Sequence, residues 1–228
     1  MDFLDLLFPK KCLECGRFGK YICKFCLTKV ALSYSLCSGC GLPTRNGLTH
    51  TFCKDKIPLK ALISIWKYEG VIRRAILKIK FNFASDIAKE LALLTVERLK
   101  TNQLTVSQLS NCLLVPIPLH RRRQNWRGFN QAAELGKIVA LKMDCRFEPD
   151  LLKRVIDTKH QTRLNRLERS VNIKDAFEIV SHQSLTTDYR LLIILFDDVY
   201  TTGSTMKEAA RVLKKGGFKN IWGLTIAA

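Results

Sequence analysis

The chain reads as an α/β protein, a mostly parallel sheet flanked by helices, with a small cysteine-rich module at its N-terminus. Beyond residue 60, short apolar runs alternate with stretches of helical periodicity, the sequence appearance of strands and covering helices in turn. One run, Leu-Leu-Ile-Ile-Leu-Phe at 191–196, has the length of a buried strand and leads straight into an acid pair, a glycine loop and a helix. Seven of the nine cysteines fall between Cys12 and Cys53, mostly as closely spaced pairs, which suits metal ligation better than a disulfide framework. With 228 residues, 47% apolar and 25% charged, there is enough chain for one full domain and a small one. That composition excludes disordered and fibrous classes.

Taken in order, the first nine residues carry Asp2 and Asp5 and no basic region ahead of their apolar residues, so they do not read as a secretory signal. A reducing, cytoplasmic location is expected. Cysteine density falls after Cys53, and the polar Lys54-Asp55-Lys56 with Pro58 marks a boundary near residue 57. The expected division is a zinc module at 1–57 and the α/β domain at 58–228.

A strand at 61–67 precedes helices at 71–80 and 84–100, the second with Ile87, Leu91, Leu94 and Val96 at roughly helical spacing. A polar loop at 101–111 leads to a strand at 112–115, stopped by Pro116 and Pro118. A basic loop is expected at 120–128, then a helix at about 130–142 with Ala132, Leu135, Ile138 and Val139 on one face. The charged stretch 157–172 reads as a loop with some helix, and 176–180 as a strand. After the strand at 191–196, Met206, Ala209, Ala210 and Leu213 form a helical stripe. Thr205 and Glu208 have capping-box spacing, and Gly216-Gly217 supplies the stop. A last strand is expected at 221–227.

The longest apolar run is far short of the ~20 residues that span a bilayer. The basic balance is strong, 38 Lys and Arg against 20 Asp and Glu, a formal net charge of +18. Such a chain attracts polyanions: nucleic acid, phosphates or an acidic membrane surface.

Cys12-x2-Cys15, Cys23-x2-Cys26 and Cys37-x2-Cys40 are three knuckles, each able to offer two thiolates to one ion, and His50 with Cys53 forms a fourth pair. Structural zinc outweighs redox chemistry here, because a segment of ~55 residues needs a staple to hold its fold. In one pairing Cys12, Cys15, Cys23 and Cys26 form a first site and Cys37, Cys40, His50 and Cys53 a second. A cross-braced pairing, with Cys12 and Cys15 sharing an ion with Cys37 and Cys40, fits the spacing too. Cys112 and Cys145 stand apart and read as buried small apolar residues. His120, His160 and His182 lack metal-ligand spacing.

The run Asp197-Asp198-Val199-Tyr200-Thr201-Thr202-Gly203-Ser204-Thr205 combines the parts of a phosphate-sugar site. Backbone N–H groups at a helix start, with Thr and Ser hydroxyls, cradle a phosphate, and the glycine permits close approach. The carboxylates suit ribose hydroxyls or a magnesium-bound polyphosphate, and ligands of such sheets bind at the carboxyl ends of strands. A second pattern, Arg121-Arg122-Arg123 with Trp126-Arg127 and Phe129, interleaves guanidinium and aromatic groups as single-stranded nucleic acid requires.

The first run resembles the phosphoribosyl-pyrophosphate (PRPP) signature of type I phosphoribosyltransferases. The whole chain resembles the ComF family, which joins a zinc module to a phosphoribosyltransferase-like domain and is implicated in DNA uptake during natural transformation. The resemblance rests further on Trp66-Lys67-Tyr68-Glu69-Gly70 with Leu77-Lys78-Ile79-Lys80-Phe81, on Val115-Pro116-Ile117-Pro118-Leu119-His120 with Arg127-Gly128-Phe129-Asn130-Gln131, and on Gln161, Arg169-Ser170-Val171-Asn172 and Phe177.

It implies that Thr201, Thr202, Gly203, Ser204 and Thr205 hold the 5′-phosphate and that Asp197 and Asp198, the expected catalytic pair, hold the ribose hydroxyls beside magnesium. Residues 116–123, Arg121 among them, stand where pyrophosphate binds, and 159–169 where a loop closes over substrate. His50 stands where the family often has cysteine. No segment matches the part of a phosphoribosyltransferase that grips an acceptor base.

The expected function is that of a ComF-type protein binding PRPP with Mg2+ and single-stranded DNA through Arg121, Arg122, Arg123, Trp126, Arg127 and Phe129. The alternative is a non-catalytic nucleic-acid-binding protein on a degenerate phosphoribosyltransferase scaffold. The resemblance also implies a DNA translocase or helicase as partner, and a cytoplasmic location that includes the inner membrane surface.

Overall fold

The computed structural model describes residues 9–82, 84–101, 112–157, 173–180 and 191–228. The expected closing loop at 159–169, His160 and His182 lie outside them. Seven strands are described: β1 (Ala61–Trp66), β2 (Leu113–Pro116), β3 (Arg146–Phe147), β4 (Leu152–Arg154), β5 (Phe177–Ile179), β6 (Ile193–Val199) and β7 (Ile221–Ala227). Six α-helices accompany them: α1 (Lys24–Thr28), α2 (Gly70–Asn82), α3 (Ser85–Lys100), α4 (Arg121–Arg127), α5 (Gln131–Met143) and α6 (Ser204–Lys215).

Five strands form one sheet in the order β1-β7-β6-β2-β3, every neighbouring pair parallel. β4 and β5 pair antiparallel on their own. Both faces of the large sheet are covered, so its central strands are apolar throughout rather than alternating. In β6 the side chains alternate between two cores. Ile194 and Phe196 join the core built with α2, α3 and α5, while Ile193 and Leu195 join the one built with α6 and the β4–β5 pair. Phe196 is fully buried, and truncating such a side chain to alanine costs about 3–5 kcal/mol.

The cysteine module packs on the outer edge of β1. Ser33 N–H donates to the Ile65 carbonyl and Lys67 N–H to the Ala31 carbonyl, while Thr49 N–H reaches the Lys60 carbonyl. These contacts and the bridges Leu32–Trp66 and Leu48–Ala61 take up backbone groups that an edge strand would otherwise leave open. The approach at Gly47 is so close that a Cβ there would strike the Leu62 carbonyl, and its φ of +74° is the left-handed conformation glycine tolerates best. Glu90 of α3 clamps the first knuckle pair, accepting from Tyr21 N–H at 3.1 Å and Ile22 N–H at 2.9 Å. Ile22, Cys26 and Val30 enter the core shared with α2 and α3.

Three local expectations change. Residues 121–127, expected as loop, form helix α4, capped by the His120 side chain and closed by Gly128 in the left-handed conformation. Thr205 and Glu208 make no capping box, because Glu208 turns instead to Asp175 N–H at 2.7 Å and to Arg211. Cys112 and Cys145 are joined as a disulfide across neighbouring segments. Among the described residues no helix is long and apolar enough to cross a membrane.

Candidate functional site

A cleft of about 310 Å³ opens at the carboxyl ends of β6 and β2. Its position follows from the topology. The chain leaves β6 toward α6 on one face of the sheet and leaves β2 toward α5 on the other, and adjacent strands whose connections part this way leave a crevice between them. Asp197, Asp198 and 201–205 line one side, and Ile117–Leu119 follow β2 on the other. Lys80 from α2, Arg123 and Arg127 from α4, Arg154 from β4 and Tyr68 close it.

The acid pair lies on the last turns of strand β6, so its two side chains point to opposite faces. Asp198 is buried toward α2, where its Oδ2 lies 2.7 Å from Lys80 Nζ. Burial works against the Lys80 charge, but this ion pair and the field of Asp197 outweigh it and hold the ammonium above its ordinary pKa. Asp197 accepts from the Asp198 N–H at 2.8 Å. Burial, and then the neighbouring Asp198 charge, push its carboxyl up to about 8 despite the pull of Lys80. The guanidinium of Arg154 is lowered to about 10 by burial and by the charge of Arg123. Burial also lowers Arg127, whose Nη1 is tied to Gln131 Oε1 at 2.8 Å. Four cations thus face two carboxyls, and the balance favours an anionic ligand.

The loop entering α6 is built for close approach. Gly203 has φ +72° and a Cβ there would collide with the Tyr200 ring. The N-cap residue, Gly203, has no side chain to cap α6, Thr202 Oγ1 accepts from Ser204 N–H at 3.5 Å, and the Thr202 and Ser204 hydroxyls lie 3.0 Å apart beside its first turn. A helix start with hydroxyls at its rim is an anion cradle when it faces a cationic cleft.

The cysteine module gathers two tetrads, Cys12, Cys15, Cys23 and Cys26, then Cys37, Cys40, His50 and Cys53, with ligand atoms within 4.8 Å of one another in each. The pairing is sequential, not cross-braced. Cys15 and Cys23 sulfurs are 3.7 Å apart, close to the edge of about 3.8 Å that a tetrahedron with zinc–sulfur bonds of about 2.3 Å requires. In the second tetrad His50 offers Nδ1, 3.3 Å from the Cys40 sulfur. Its Nε2 sits 3.1 Å from the Pro43 carbonyl, which fixes the proton on Nε2 and leaves the Nδ1 lone pair for a metal. The thiols are split in acidity. Burial raises Cys12 and Cys37, but backbone N–H donors outweigh it and bring both down to about 6. Burial and neighbouring thiols push Cys26 up to about 12 and Cys53 up to about 11. Packing four thiolates together needs a divalent cation, and the donor sets fit structural zinc.

The Arg-rich run divides between two surfaces. Arg123 and Arg127 face the cleft, whereas Arg121 and Arg122 are exposed on the outer side of α4 with Trp126, which is 71% exposed. Arg121 does not line the cleft as expected for a pyrophosphate ligand. Phe129 is 8% exposed and packs in the core against α5, so it has no face to offer a base. Sequence reasoning missed Lys80, Arg127 and Arg154 as cleft residues. Lys80 had a signal: it follows Ile72 and Ile76 at i+8 and i+4, on the buried stripe of α2, where a lysine needs an acidic partner.

The double zinc ribbon domain family matches residues 3–55. Over 90% of this chain and 88% of its own length, the DNA utilization protein YhgH of Escherichia coli O6:H1 is 33% identical. Competence protein F of Haemophilus influenzae is 32% identical over 75% of this chain and 69% of its own. The chain belongs to the ComF family. A third ComF relative, competence protein ComFC of Bacillus subtilis, is 25% identical over 90% of this chain and 83% of its own length.

Proposed function

We propose that the cleft binds PRPP with magnesium and that single-stranded DNA runs along the outer side of α4, in a protein that handles DNA taken up or used by the cell. One observation carries the reading: an acid pair and a glycine-led, hydroxyl-rimmed helix start share a cationic cleft at the carboxyl ends of parallel strands. Thr201–Thr205 would hold the 5′-phosphate, Asp197 the ribose hydroxyls, and Arg123 and Arg127 the pyrophosphate. Magnesium would neutralise the pyrophosphate as it leaves. Lys80 holds Asp198 in its ion pair, and the arginines stabilise the negative charge that develops on the leaving group. The names of the ComF relatives, competence protein F and DNA utilization protein, support the cellular role. The two units proposed are a zinc module at 1–57 and a phosphoribosyltransferase-like domain at 58–228.

Calorimetric titration of the zinc-loaded protein with PRPP and Mg2+ tests this. Wild type should bind and Asp197→Asn should not. Asp197 is the informative position, because Asp198 also neutralises Lys80. Wild type that fails to bind would overturn the PRPP reading. The second reading, nucleic-acid binding without catalysis, would then lead, favoured by the exposed Arg121, Arg122 and Trp126 on α4.

A further inference from the structure

The cysteine module leaves several aromatic rings in solvent. Phe18 is 64% exposed, Phe25 50% and Tyr34 71%. Each lies under a cation: Lys11 Nζ is 4.9 Å from the Phe18 ring centre, Lys29 Nζ 4.2 Å and Arg17 Cζ 5.4 Å from Phe25, and Lys67 Nζ 5.2 Å from Tyr34. Significant pairs of this kind arise about once in 70–80 residues, so three such rings on so small a module, two under its own cations and the third under Lys67 just beyond β1, are a dense array. The rings are not left over from the module's own core, which Ile22, Val30 and the buried cysteines fill.

We infer that this face of the zinc module is a stacking platform for single-stranded DNA. The inference rests on the proposed DNA reading and extends it to a second surface. Exposed rings flanked by cations are what a single strand uses, since every base has a face to stack and every linkage a charge to neutralise. The module's charge suits a polyanion, with nine Lys and Arg against Glu14 and Asp55 over residues 9–57. The platform also reaches the cleft. Lys67, over Tyr34, precedes the cleft residue Tyr68, and the cleft residue Arg127 lies 6.0 Å from the exposed Phe81 ring. A strand on the zinc module therefore leads toward α4 rather than away from it.

The test is fluorescence anisotropy with labelled oligo-dT in increasing salt, without PRPP, using the full zinc-loaded chain. Phe25→Ala should weaken binding about tenfold, and Phe18→Ala/Phe25→Ala/Tyr34→Ala further, with zinc content unchanged and the salt slope preserved, since no cation is removed. Phe25→Tyr should bind like wild type, because the ring is kept. Lys11→Gln/Lys29→Gln should instead flatten the slope by about 1.4. Ring variants that bind oligo-dT as tightly as wild type, or a duplex bound as well as the single strand, would overturn the platform while leaving DNA binding through α4 intact. Wild type that binds no oligo-dT would overturn both.

Discussion

Lys80 Nζ and Asp198 Oδ2 meet at 2.7 Å at the floor of the cleft, the lysine from the end of α2 and the aspartate from the end of β6. A helix on one face of the sheet is thereby tied to the strand that carries the acid pair. The pair also divides the labour between two neighbouring acids: Asp198 has an internal counter-charge, and Asp197 is left to meet a ligand.

Lys80→Met should cost about 3 kcal/mol of stability, because it strands a buried carboxylate, and urea denaturation would measure it. Lys80→Met/Asp198→Asn should recover part of that loss. Equal losses in the single and double variants would show that the pair is not coupled.

Asp197 should give the protein a distinctive pH profile. Its carboxyl titrates at about 8 when folded against an ordinary 3.8. Between those values the folded chain keeps a proton that the unfolded chain has lost. Its contribution to stability is therefore greatest at the acid end, falls as pH rises through the window, and levels off above about 8. Subtracting the Asp197→Asn curve from the wild-type curve should isolate that slope. By the same linkage, magnesium PRPP should bind more tightly as pH approaches about 8, since ribose hydroxyls donate to the carboxylate and so favour the deprotonated form of Asp197.

Elemental analysis should find two zinc ions per chain, in line with the two tetrads. His50→Ala should lose one of them and Cys23→Ser the other. Loss of both from a single substitution would contradict the sequential pairing. Chelation should unfold the module first, because so little apolar core supports it alone.

Gly203→Ala should impair PRPP binding more than it impairs folding. The added methyl collides with Tyr200 in a left-handed turn at the mouth of the cleft, with a stability cost of about 1–2 kcal/mol. Calorimetry and thermal melting together would separate the two effects.

Much of this was legible in the sequence because the signals were local. A buried strand running into Asp197 and Asp198, and four ligand pairs in a row, each declare themselves within a few residues. What was not legible depended on distant partners. Helix α4 has no buried residues, so no apolar stripe announced it. Lys80 lies on the buried stripe of α2, but the acid it meets, Asp198 on β6, is remote in sequence. The Glu208 carboxylate had capping-box spacing, but Asp175 and Arg211 compete for it and win. Cys112 and Cys145 stand 33 residues apart and meet only because β2 and β3 are neighbours.

The placement of the zinc module over β1 makes metal supply a matter of solubility as well as of function. On the far side the sheet ends in the two-residue β3, too short to template another chain, whereas β1 is six residues long and apolar. Stripped of its metal-held guard, β1 would present a flat, sticky ribbon to the same ribbon on the next molecule. Zinc-starved protein should therefore polymerise edge to edge, which light scattering after chelation would read.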